Sequence, residues 1–71
     1  MEKIHVINPW SKVWVAIDPA EVTQDKLDGM VLDEEVVEQI HREGDAQTPG
    51  EFFRRYVELV GPEKAGSVWF S

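Results

Sequence analysis

Cysteine is absent from the 71-residue chain. With it go the disulfide framework and the cysteine-ligated zinc site that commonly staple so small a fold. Stability must come from apolar side chains closing on one another, or from a partner. Cations are scarce too, with 7 Lys plus Arg against 14 Asp plus Glu and a net charge of −7. They are scattered, only Arg54 and Arg55 being adjacent, so no basic patch is offered to a phosphate backbone or to anionic lipid. Direct nucleic-acid and membrane binding are therefore not expected. The longest apolar run, Val13 to Ile17, is far short of a bilayer span, and Met1-Glu2-Lys3-Ile4 lacks the basic-then-apolar layout of a signal peptide. A cytoplasmic location is the resulting expectation. Repeats and low-complexity stretches are missing as well.

The 42% hydrophobic content is more than an acidic disordered tail carries. One small domain over residues 1–71 suits the length. Lys3 to Asn8 and Lys12 to Ile17 are rich in β-branched residues and flank the turn-forming Asn8-Pro9-Trp10-Ser11, which predicts a β-hairpin. Alternation in the second strand puts Val13, Val15 and Ile17 on one face and Trp14 with Ala16 on the other. Both faces are apolar, so a single layer of helices leaves the Trp14 face to be covered by more of the chain or by another chain.

Helix-start chemistry then occurs three times. Asp18-Pro19-Ala20-Glu21 predicts a short helix running towards Gly29. Asp33 caps a second, from Glu34 to about Glu43, with Gly44 as its stop, Leu32 and Val37 placed as a hydrophobic staple, and Val36, Val37 and Ile40 as its buried stripe. Thr48-Pro49-Gly50-Glu51 is a Thr-x-x-Glu capping box, the most specific local signal in the chain. Phe53, Tyr56, Val57 and Val60 follow at helical spacing, widened by Phe52 and Leu59, until Gly61-Pro62 ends the helix. Glu51 with Arg55, and Arg54 with Glu58, stand at i, i+4 on its polar side. Ser67-Val68-Trp69-Phe70 has the composition of a short third strand. The expected class is α+β: an N-terminal β-hairpin, two or three short helices and a possible C-terminal strand.

Catalytic patterns are hard to find. Glu38-Gln39-Ile40-His41 has the Glu-x-x-His spacing of helical di-metal sites, but such sites draw on several carboxylate-bearing helices, and the other match, Glu2-Lys3-Ile4-His5, falls on a predicted strand. His41 is better explained as a surface histidine favoured by the helix dipole. Ser11, Ser67 and Ser71 lack a nucleophile elbow. The glycines are isolated from one another, so no dinucleotide or phosphate-cradling loop is present. The expectation is a protein that is not an enzyme and uses neither metal nor cofactor.

Carboxylates are what the chain has in excess. Asp25, Asp28, Asp33, Glu34, Glu35, Glu38, Glu43 and Asp45 fall within one stretch whose only cations are Lys26 and Arg42. Capping, dipole stabilisation and a Glu38–Arg42 pair explain part of this, and a solvated face that keeps the protein dissolved explains more. The sharper explanation is a face that meets a basic surface. Trp10, Trp14 and Trp69 invite the same comparison, because tryptophan serves both cores and interface hot spots. Trp69 suits the core, whereas Trp10 in the turn and Trp14 on the second sheet face suit exposure.

No motif points to a family. In size and charge alone the chain resembles inhibitors made by phages and mobile elements, anti-CRISPR proteins among them. The expected function is therefore protein binding by occlusion of a partner's basic, nucleic-acid-binding surface. Its candidate contact residues are Trp10, Trp14, Asp25, Asp28, Glu34, Glu35 and Glu38. The competing expectation is a dimeric structural or regulatory subunit, with the Trp14 face as self-interface and acidity serving solubility.

Overall fold

Asn8 organises the first turn twice over. In the computed structural model, which describes residues 2–71, its side-chain Oδ1 accepts from the N–H groups of Trp10 and Ser11 at 2.9 and 3.2 Å. Its backbone C=O accepts from Lys12 N–H at 2.8 Å, and its own N–H donates to the Val13 C=O at 2.9 Å. Lys12 takes a left-handed φ of 62° to close the loop. Strands β1 (Ile4–Ile7) and β2 (Trp14–Ile17) run antiparallel, with Ile4 opposite Ile17 and Val6 opposite Val15. Ile4, Val6 and Ile17 are buried and Val15 half-buried, while His5, Trp14 and Ala16 on the other face are exposed. The apolar Trp14 face is thus left uncovered by the described residues. Val13, assigned by alternation to the inner face, precedes the strand and is 58% exposed.

From Asp18 to Gly29 the sequence predicts one helix, and the chain makes two pieces. Asp18 Oδ1 accepts from Ala20 N–H at 2.9 Å and starts a 3₁₀ turn over Pro19–Glu21. Val22 turns inward to be buried, and Thr23 caps afresh, its Oγ1 accepting from Lys26 N–H at 3.1 Å to open α1 (Gln24–Asp28). A second side-chain cap inside the segment is what divides it. Helix α2 (Glu34–Glu43) matches its expected bounds: Asp33 Oδ1 accepts from Glu35 N–H at 3.0 Å, and Gly44 ends it in the left-handed conformation. Of its stripe, Ile40 is buried and Val36 and Val37 are half-buried.

Helix α3 (Pro49–Val60) also begins as its capping chemistry predicts, Thr48 Oγ1 accepting from Glu51 N–H at 3.2 Å. The Glu51 carboxylate closes the box on Gln47 N–H at 3.2 Å, one residue before the cap itself. Phe53 and Tyr56 are buried at the centre of the molecule. The 3₁₀ turn, α1 and α2 all pack on α3. The predicted i, i+4 pairs give way to longer-range ones. Arg55 forks onto Glu43 of α2, with Nε and Nη2 each 2.8 Å from a carboxylate oxygen, and also reaches Glu58 at 3.1 Å. Arg54 pairs with Glu2 at 3.6 Å. The fork wins because both donors meet one carboxylate held by another helix, while Glu51 is occupied at the cap.

The tail departs from its predicted strand. Residues 62–69 form helix α4 (Pro62–Trp69), separated from α3 by Gly61 alone. Gly61 adopts φ 94° and ψ 157°, a conformation essentially reserved for glycine, and Pro62 then occupies the first helical position. Helix α4 lies on β1 as well as on α3. Its buried face is Ala65 and Gly66, and a Cβ at Gly66 would stand 1.9 Å from the Ile7 carbonyl oxygen. Glycine there lets the helix rest on bare strand backbone. Trp69 is half-buried against the core, its ring 5.3 Å from that of Phe53, and Lys26 Nζ sits 4.6 Å over it. No helix of the described residues is long and apolar enough to cross a membrane.

Candidate functional site

The acidic stretch is distributed over α1, the turn after it and α2. Asp33 is drawn to Lys64 of α4 at 3.8 Å and Glu43 to Arg55. The Arg55 hydrogen bonds hold Glu43 below the usual glutamate range, and Asp18 is likewise lowered, first by the Ala20 N–H and then by Lys3. Glu43 serves the joint between helices and Asp18 the capped 3₁₀ turn. By contrast, Asp25, Asp28, Glu34, Glu35 and Glu38 are exposed and have no cation within ion-pair distance among the described residues. The expected Glu38–Arg42 pair does not form. Asp28 accepts only from Gln24 Nε2 at 2.9 Å.

One of these five, Asp28, lines a groove of about 360 Å³ between α1, α2 and the start of α3. Its lining is Gln24, Leu27 and Asp28 of α1, Val37 and His41 of α2, and Leu32, Ala46, Gln47, Thr48, Pro49 and Phe52. The His41 ring leans on Phe52 at 5.5 Å between centroids. Glu34 and Glu38 share the α2 face of Val37 and His41 by helical spacing, while Asp28 is the one carboxylate in the groove's lining. No Lys or Arg lines it. Glu35 lies further round α2, and Asp25 borders a different, smaller depression with Lys26, Met30 and Trp69. The groove escapes sequence reasoning because its lining comes from separate segments. The only early sign is the pairing of Leu32 with Val37, read as a staple, which now proves to border open space.

The tryptophans of the hairpin form a second surface. Trp10 is 72% and Trp14 59% exposed, and Val13 and Ala16 of the same hairpin are exposed as well. The hairpin rests on α4 and α3, and α2 rests on α3. Among the described residues no three His, Asp or Glu side chains converge as metal ligands would, Glu38 and His41 included. No protein-family model, no curated protein and no solved structure matches the chain.

Proposed function

We propose that the chain is a non-catalytic protein-binding protein of the cytoplasm that occupies a basic, nucleic-acid-binding surface of its partner, as anti-CRISPR-type inhibitors do. The observation that carries this reading is the groove whose lining includes Asp28 and no lysine or arginine, on a surface where Glu34 and Glu38 of α2 are exposed and unpaired among the described residues. A recess lined by Leu27, Leu32, Val37 and Phe52 together with polar groups takes a partner's side chain, and uncompensated carboxylates on the same surface select one set among cations. Glu35 and Asp25 extend the same negative field, which accelerates encounter. Trp10 and Trp14, on the hairpin, supply a second contact of the hot-spot type.

The test starts with a partner isolated from the native host and proceeds to binding kinetics at two ionic strengths. Association is expected to slow with salt and to slow again when Glu34, Glu35 and Glu38 are together replaced by Lys, with the helical spectrum unchanged. Trp10→Ala is expected to speed dissociation instead. An association rate indifferent to the triple replacement reduces the acidic face to solubility. The dimeric-subunit reading then takes first place, and the uncovered Trp14 face is the observation that favours it.

A further inference from the structure

We propose that β2 is a self-pairing edge: two copies join β2 to β2 in antiparallel fashion, giving a continuous sheet of order β1-β2-β2-β1. This goes beyond the binding of a basic partner and does not depend on it. Hydrogen-bonded and non-hydrogen-bonded pairs alternate along an antiparallel ladder. Asn8 N–H donates to Val13 C=O, so Val15 opposite Val6 and Ile17 opposite Ile4 face β1 with their peptide groups. The N–H and C=O of Trp14 and Ala16 consequently point away from β1, along the open edge. That edge has none of the usual protections: Trp14–Ile17 contains no proline, no charge and no bulge. On the far side of the hairpin α4 packs on β1, with Gly66 against the Ile7 backbone.

The edge is complementary to itself in one register. Placing Trp14 opposite Ala16 of the second copy engages the outward N–H and C=O groups of both residues in both chains. It also sets the large indole beside the small methyl on the outer face. Sliding the pairing to put Trp14 opposite Trp14 brings in Lys12, whose N–H is already committed to Asn8. Sliding it the other way sets Trp14 against Asp18. In the favoured register Lys12 of each copy faces Asp18 of the other, a cross-strand pair of opposite charges at both ends of the interface. Charge also selects the second copy as occupant. Between Asn8 and Ile17 the only charged side chain is Lys12, so two molecules of net charge −7 meet through strands that carry no carboxylate, with Asp18 standing only at the ends, opposite Lys12.

In this register Val15 lies on the two-fold axis opposite Val15 of the second copy, in a non-hydrogen-bonded pair with Cα atoms about 4.5 Å apart, within reach of a disulfide. The chain has no cysteine, so single replacements read the register cleanly. Mild oxidation of Val15→Cys is expected to yield covalent dimer, and Trp14→Cys to form no crosslink. Unmodified protein should pass from monomer to dimer by sedimentation as it is concentrated, and Ala16→Pro, which removes an outward N–H while sparing the β1–β2 bonds, should stay monomeric with its helical spectrum retained. A monomer at millimolar concentration, or a Val15→Cys thiol that survives oxidation unpaired, overturns the proposal. Preferential crosslinking of Trp14→Cys overturns the register.

Discussion

A buried tyrosine must find a partner for its hydroxyl, and Tyr56, 1% exposed, finds one outside its own helix: Asp33 N–H donates to Tyr56 Oη at 2.9 Å. Asp33 is the cap of α2, so one residue both opens that helix and fastens its start to α3. Replacing Tyr56 by Phe keeps the ring and removes the acceptor. The expected cost is about 1 kcal/mol, more if the Asp33 N–H is left dry, read as a lowered midpoint in urea with an unchanged slope. Residues of this kind differ in how far the sequence reveals them. Asp33 and Thr48 are legible as caps because capping is settled within four residues of chain. The partner of Arg55 is not, since Glu43 reaches it only after α2 has docked on α3.

At the scale of elements the same division recurs. The hairpin, α2 and α3 are legible because a turn residue, a cap and an apolar period agree in each. Helix α4 is hidden, because Val68-Trp69-Phe70 has strand composition and the deciding fact lies 59 residues away in sequence, where Gly66 meets Ile7. Gly66→Ala separates the two influences by sign. In an isolated helix alanine is favoured over glycine by about 1 kcal/mol. Here the added methyl has no room beside the Ile7 carbonyl, so α4 must lift from β1 and stability should fall by roughly 1–3 kcal/mol. A denaturant midpoint that rises in the variant shows that the helix does not rest on the strand backbone.

Across the whole molecule, charge is sorted. Carboxylates that join elements are paired, Glu43 with Arg55, Asp33 with Lys64 and Asp18 with Lys3, while those of the α1–α2 surface are not. The acidic surface is legible from composition, whereas the groove within it appears only when four segments converge. The paired group makes a prediction about acid. Arg55 holds Glu43 below its ordinary value of 4.5 in the folded chain and releases it on unfolding. The unfolded chain therefore binds a proton at Glu43 more readily than the folded one, and unfolding is promoted as pH falls. The contribution of the pair is complete above about pH 4.5, shrinks below it, and is gone once pH passes the lowered folded value. Glu43→Gln cannot make this contribution at any pH. Thermal unfolding of the two proteins from neutrality downward should show a gap that is constant to about pH 5 and then closes as the carboxylate of the unmodified chain is protonated. A gap that persists unchanged at the acid end shows that Glu43 stabilises the α2–α3 joint through its shape and not through its charge.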